Sequence, residues 1–174
     1  MEHAEGRGPR DLVIAFIDLS FYARDASQRD DEVVAQLADV YYERVGDGAA
    51  RAGGVVVKVL GDGALLAFPV DRADDALGEL FALKAEIDAW LAADAWASRV
   101  TVKLHRGVVV AGDFGRRGAK RFDVLGKVVN VTARLPGPFH VTRELFDSLS
   151  PAARARLKED PASATYVPAD DGSA

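Results

Sequence analysis

The sequence predicts one mixed α/β (α+β) domain. Three observations carry that reading: a nearly continuous apolar run at Leu12–Leu19, two long stretches of helical periodicity, and β-rich segments joined in pairs by glycine-containing turns. At 174 residues the chain has the length of a single domain and enough sequence to bury a sizeable core. The domain is expected over residues 11–159, between a charged, flexible N-terminus (residues 1–10) and a flexible C-terminal tail (residues 160–174) rich in Ala, Pro, Asp and Ser.

Leu12–Leu19 is β-rich and suits a strand buried on both faces. From Asp31 to about Ala52, Val33, Val34, Leu37, Val40, Tyr41 and Val45 recur at the helical period, and Gly53-Gly54 stops the pattern. Val55–Leu60 and Ala64–Phe68 flank Gly61-Asp62-Gly63, a strong hairpin signal. A second helix, from Ala73 to about Ala93, presents Leu77, Leu80, Phe81, Leu83, Ile87 and Leu91. Val100–Ala111 reads as a strand that turns through the basic, glycine-containing stretch 112–120 into Phe122–Leu125. Val128–Arg134 reads as a short helix stopped by Pro136 and Gly137, followed by a strand at Phe139–Thr142, a helix at Arg143–Leu149 and a possible strand at Thr165–Val167.

Composition narrows the function classes. A net charge of −5 argues against a phosphate-backbone partner, so no nucleic acid is expected, and the cluster Arg116, Arg117, Lys120 and Arg121 reads as a solvated hairpin tip. The absence of cysteine removes disulfides, thiolate nucleophiles and Cys-ligated zinc. There is no apolar run of membrane-spanning length and no signal-like start, so the expected location is the cytoplasm. His3, His105 and His140 are too scattered to suggest a metal cluster, and the phosphate-loop, dinucleotide and nucleophile-elbow motifs are missing.

Six polar residues stand in or beside apolar sequence: Asp18, Lys58, Asp62, Asp123, Asn130 and Arg134. Asp18 alone suits a turn or helix cap, and Asp62 alone suits a hairpin turn. As a pair they offer the oxygen ligands that hard cations take at phosphate sites. Simple alternation puts Lys58 on one sheet face with Val56 and Leu60, between apolar neighbours; a lysine on a strand rim is the plain alternative. Asp123 interrupts RFDVL in the same way. Asn130 and Arg134 are four apart and share a helix face, which also describes an ordinary solvated stripe.

In order and spacing, the segments FIDLS, VVKVLGDGALLAF, KLHRGVVVAGDFG and RFDVLGKVVNVTARL resemble the catalytic domain of class III adenylate and guanylate cyclases, from about Leu12 to Arg134 and more weakly to Leu149. The resemblance implies a ferredoxin-like sandwich, mostly antiparallel sheet with helices packed on it. It implies that Asp18 and Asp62 hold two Mg²⁺ or Mn²⁺ ions per site, that Lys58 and Asp123 select the base, and that Asn130 and Arg134 act on the transition state. It further implies a head-to-tail homodimer, one subunit giving the metal carboxylates and the other the remaining four residues. An ammonium and a carboxylate complement the ring acceptor and amino donor of adenine, so ATP is the expected substrate, with 3′,5′-cyclic AMP and pyrophosphate as products.

The chain also departs from the family. Ser20, Phe21, Tyr22 and Ala23 stand where a small residue and Phe-Thr are usual, Lys127 replaces a commonly acidic residue, and Pro136 shortens the connection after Arg134. These departures leave two alternatives beside adenylate cyclisation: a weak or inactive nucleotide-binding module, and a cyclase for GTP or a pyrimidine nucleotide. With no sensor or transducer sequence in the chain, regulatory input from another protein is an open expectation.

Overall fold

The computed structural model describes residues 6–169. Within them, eight strands form one sheet in the order β2-β3-β1-β4-β6-β8-β7, with β5 pairing to β4 off that path. The strands are β1 (Gly8–Ser20), β2 (Val55–Val59), β3 (Gly63–Pro69), β4 (Arg99–Phe114), β5 (Arg121–Leu125), β6 (Phe139–Val141), β7 (Leu157–Asp160) and β8 (Thr165–Pro168). Only the β4/β6 pairing is parallel. The helices are α1 (Tyr22–Ala26), α2 (Asp31–Arg51), α3 (Ala73–Ala93), α4 (Lys127–Ala133), α5 (Arg143–Phe146) and α6 (Pro151–Arg154). This is the α+β sandwich that the sequence led us to expect. No helix among the described residues is long and apolar enough to cross a membrane.

The two faces of the sheet differ, and period-2 alternation explains how. Val13, Ala15, Ile17 and Leu19 of β1 and Val100, Val102 and Leu104 of β4 point to one face, where Leu37, Tyr41 and Val45 of α2 and Leu77, Leu80, Leu83, Ile87 and Leu91 of α3 complete the main core. Val33 and Val40, although in phase with that stripe, lie at its edge and are exposed. The opposite face carries a smaller core of Leu12, Ile14, Leu65, Ala67, Val109, Ala111 and Val124, against which Val128 and Val129 of α4 pack.

That second face is only partly apolar. Toward the C-terminal end of β1 it passes from Ile14 through Phe16 to Asp18, and along β4 from Gly107 through His105 and Lys103 to Thr101. Asp18, one of the candidate site residues, stands at this polar end. Gly107 allows α4 to approach, since a Cβ there would come within 2.7 Å of Val128 Cγ2.

Strand pairing reaches further toward both ends of the described residues than the composition suggests. β1 begins at Gly8, ahead of the expected Leu12, because residues 8–11 pair with 108–111; the Arg7 guanidinium lies 4.2 Å from the Phe114 ring centroid and donates to the Asp113 carbonyl. Near the C-terminus, β8 covers the possible strand expected at Thr165–Val167 and pairs with β7 in a hairpin that runs as far as Pro168. Tyr166 holds it: its ring stacks on Phe146 at 3.7 Å between centroids, and its neighbour Thr165 bonds His140 Nδ1 at 2.7 Å. Residues 1–5 and 170–174, the remainder of the two expected flexible ends, lie outside the described residues.

The two buried histidines give a pH dependence. Desolvation lowers the pKa of both; Lys103 adds to the effect at His140, while Glu144 and Asp160 oppose it at His105 and His140 respectively. Between the depressed folded values and the ordinary value near 6.5, the unfolded chain binds protons that the folded chain does not. Stability therefore rises with pH across that window and is lost on acidification. Urea unfolding should show a lower midpoint at pH 5 than at pH 7, and a His105→Gln/His140→Gln variant should lose part of that difference; an unchanged pH slope would show that neither imidazole contributes.

Candidate active site

Asp18 is two residues before the end of β1, directly opposite Gly63 on β3 and Thr101 on β4. Gly63 is required on steric grounds, because a Cβ there would meet the Asp18 Cβ at 2.9 Å and the Ile17 carbonyl oxygen at 3.0 Å. Asp62 precedes it in a two-residue turn closed by Leu60 N–H donating to Gly63 O at 2.7 Å, with Gly61 at φ 70° in the first central position. The Asp62 carbonyl accepts from Leu19 N at 3.1 Å, and Tyr42 donates to Gly61 O at 2.6 Å, so the turn is tied to β1 and α2.

The two carboxylates share one electrostatic neighbourhood. Tyr41 of α2 is buried, its hydroxyl has no hydrogen-bond partner, and its pKa is raised first by burial and then by the charges of Asp18 and Asp62. Two half-buried carboxylates at adjacent strand ends are the hard oxygen donors that Mg²⁺ or Mn²⁺ accepts, with a triphosphate and water left to complete the shell. The donor set therefore fits the implied ions. Among the described residues no group of three or more His, Asp or Glu side chains forms a fuller metal cage.

Lys58 and Asp123 meet from 65 residues apart, with Nζ donating to Oδ2 at 2.7 Å. Simple alternation does not describe how they do so. The pairing of β2 with β3 skips a residue between Val56, opposite Leu66, and Lys58, opposite Leu65. This bulge corrects the face expected for Lys58: regular pairing would set it opposite Ala64 with the main core, whereas the extra residue turns it to the face of Leu65. Asp123 is also held from its own strand, since Oδ1 accepts from Val124 N at 2.8 Å.

Asn130 lies within α4, while Arg134 is the residue just beyond it, with φ −94° and ψ −2°. The helix ends one residue earlier than expected, its last turn tightened by Arg134 N–H to Val131 O at 3.1 Å and Leu135 N–H to Thr132 O at 3.2 Å. Both side chains are exposed and carry no hydrogen bond or ion pair to another described residue.

Two neighbours of Asp18 were not singled out from the sequence. Thr101 Oγ1 donates to Asp18 Oδ1, and Lys103 Nζ lies 3.7 Å from Oδ2. The alternation of Thr101, Lys103 and His105 with Val100, Val102 and Leu104 was the available signal, a polar stripe on an otherwise buried strand. Phe21, one of the departures noted above, is 61% exposed at φ 63°, a conformation unusual for a bulky residue, three positions after Asp18. Its ring lies 5.0 Å from the Arg24 guanidinium carbon.

Neither a family model nor a curated protein sequence matches the chain. Solved structures do match it. A bacterial light-regulated adenylyl cyclase aligns with TM-score 0.76 and 21% identity over 83% of this chain and 46% of that one, so this chain spans about half its length. The adenylyl cyclase CyaB from P. aeruginosa aligns with TM-score 0.78 and 16% identity over 88% of this chain and 85% of that one. The guanylate cyclase domain of RhGC from Catenaria anguillulae, solved with GTP, gives 0.74 and 17% over 83% and 85%. The fold is thus the one found in adenylyl and guanylyl cyclase catalytic domains, with both nucleotide classes represented among the similar structures.

The crowding at Gly63 is directly testable. Gly63→Ala forces Asp18 or the β1 backbone aside, and overpacking of this kind costs about 1–3 kcal/mol. Urea denaturation should show a loss of that order, whereas Gly118→Ala, with nothing within 4 Å but a φ of 82°, should show only the smaller cost of backbone strain.

Proposed function

We propose that this chain is the catalytic domain of a class III nucleotide cyclase, converting ATP into 3′,5′-cyclic AMP and pyrophosphate. The observation that carries the proposal is the Lys58–Asp123 contact: two residues singled out from separate segments as readers of one base edge are held 2.7 Å apart by a bulge and a strand pairing. Asp123 accepts from the adenine amino group and Lys58 donates to the neighbouring ring nitrogen; guanine presents the reverse pattern and leaves both unpaired. Mg²⁺ or Mn²⁺ held by Asp18 and Asp62 would lower the pKa of the ribose 3′-hydroxyl and neutralise the triphosphate.

The remaining residues position and stabilise. Asn130 orients the ribose so that the 3′-oxygen lies in line with the α-phosphorus, and Arg134 stabilises the charge that grows on the α-phosphoryl oxygens. The 3′-oxygen forms a bond to the α-phosphorus, its proton is released, and the bond to pyrophosphate breaks. Asn130 and Arg134 are exposed and unpartnered among the described residues of the single chain, which suits delivery across an interface to the Asp18 and Asp62 of a second copy. A head-to-tail homodimer with two shared sites follows. A regulatory protein acting on that dimer is compatible with this reading.

The assignment is tested by incubating the protein with each of the four nucleoside triphosphates plus Mg²⁺ or Mn²⁺ and identifying cyclic products by mass. Cyclic AMP from ATP is the expected result; binding of ATP without product would make the chain a nucleotide-binding module. Asp18→Asn and Asp62→Asn should each nearly abolish turnover with little effect on folding, since a neutral amide is a poorer ligand for a hard cation. Mixing Asp18→Ala with Arg134→Ala, each inactive alone, should restore activity through heterodimers that carry one intact site. No recovery despite proven subunit exchange would rule out the shared site.

Base selection has its own measurement. Lys58→Glu with Asp123→Ser reverses the donor and acceptor pattern, and each mismatched desolvated contact costs about 1–3 kcal/mol. The ratio of kcat/KM for ATP over GTP should fall; an unchanged ratio would show that neither side chain reads the base.

A further inference from the structure

Neither oxygen of the Asp18 carboxylate is bare. Oδ1 accepts from Thr101 Oγ1, and Oδ2 faces the Lys103 ammonium at 3.7 Å. Lys103 stands on β4 opposite Phe16, two residues before Asp18 on the same face of the sheet, and only 19% of its side chain is exposed. On its other side Nζ lies 3.5 Å from the carbonyl oxygen of Ala133, the last residue of α4. The ammonium is therefore confined between a carboxylate and the carbonyl end of a helix, both attractive to a cation.

We propose that Lys103 is a tethered cation that competes with divalent metal at Asp18, so that the nucleotide-free chain holds this half of the site in a metal-poor state. The inference rests on the reading of Asp18 as a metal ligand and adds a residue that sets when that ligand is available. A divalent ion bound to a carboxylate lies about 2.0–2.2 Å from its oxygen. With the ammonium 3.7 Å from the same oxygen, the two cations occupy one small, half-buried region and repel each other strongly. One of them has to yield.

The anchor at Ala133 decides how. Lys103 keeps the helix-end carbonyl as a partner when it leaves Asp18, so displacement is a short swing toward α4 and not an exit into solvent. An incoming triphosphate changes the balance, because it brings negative charge for both cations to share. Metal would then enter efficiently with the nucleotide and poorly without it. Lys103 is accordingly a positioning residue acting through Asp18.

The test reads metal binding directly, with Mn²⁺ alone as the probe and no nucleotide present. Mn²⁺ affinity is measured by electron paramagnetic resonance or calorimetry for wild type, Lys103→Met, Lys103→Gln and Lys103→Arg. Lys103→Met should bind Mn²⁺ roughly tenfold or more tightly than wild type, given the like-charge repulsion removed. Lys103→Gln, which keeps a hydrogen-bond donor for Ala133, should behave likewise and covers the case in which Met misfolds, while Lys103→Arg should stay near wild type. The gain should vanish in Lys103→Met/Asp18→Asn. Equal or weaker affinity in both neutral variants would overturn the proposal, as would a gain that survives Asp18→Asn. If Asp18→Asn abolishes Mn²⁺ binding in the wild-type background while the Lys103 variants change nothing, the competitor fails but Asp18 stands as a ligand. If Asp18→Asn leaves binding untouched everywhere, the metal assignment itself fails.

Discussion

The structure depends on the pairing of β1 with β4. Every residue from Gly8 to Ser20 is in register with Ala111 to Arg99, so these two strands form the rigid middle of the sheet and neither can slip without turning its apolar residues to the wrong face. That register stacks the main core on one side. It also decides what meets Asp18 on the other, because Thr101 and Lys103 reach the carboxylate only in this pairing. A shift of one residue would exchange Thr101 and Lys103 for Val100 and Val102. Core and site are thus fixed by one set of ladder bonds.

Where local pattern and tertiary packing agree, the sequence was a reliable guide. The α3 stripe of Leu77, Leu80, Leu83, Ile87 and Leu91 is buried, and the helix spans Ala73–Ala93 as its periodicity indicates. The face of Lys58 was not legible, because alternation assumes regular pairing and a bulge is a property of two strands together. The C-terminal hairpin was legible only in part: the strand at Thr165–Val167 was expected, and its partner β7 was not. The composition around 160–168 is that of a loose tail, and order rests on Tyr166 meeting a phenylalanine twenty positions earlier, a long-range contact that no window over the tail contains. Of the candidate site, six residues were singled out in advance; Lys103 was not, although its polar stripe along β4 was there to see, because which residue that stripe meets depends on the pairing with β1.

Three carboxylates also show how the fold accommodates charge. Asp18 has a threonine and a lysine, Asp123 a backbone amide and a lysine, and Asp25, buried beside the α1 turn, takes both the backbone N–H and the hydroxyl of Ser98 at 2.7 Å. Each of these three carboxylates thus has at least two favourable neighbours, as desolvation of a charge demands. Among the six, Asp62, Asn130 and Arg134 have no side-chain hydrogen bond or ion pair to another described residue, and the exposed Asn130 and Arg134 have little desolvation cost to offset until something covers them.

The Lys58–Asp123 pair is asymmetric in a way that bears on how a base would enter. The side chains are 38% and 24% exposed, and a pair so open to water contributes only about 0–1 kcal/mol. Separating the partners is therefore easy compared with the hydrogen bonds a desolvated base edge would offer each of them. Yet they are not equally free to move. Asp123 is fixed through Oδ1 to the amide of Val124, whereas Lys58 holds Asp123 alone, at the end of a flexible four-carbon stem. In the proposed base reader the carboxylate would be the stationary half and the ammonium the movable half. A base would dock first against Asp123, displacing Lys58 by the width of a ring edge, and the lysine would close on it from the bulged strand. On this argument the rigidity needed for selection resides in β5, and the bulge in β2 supplies the reach.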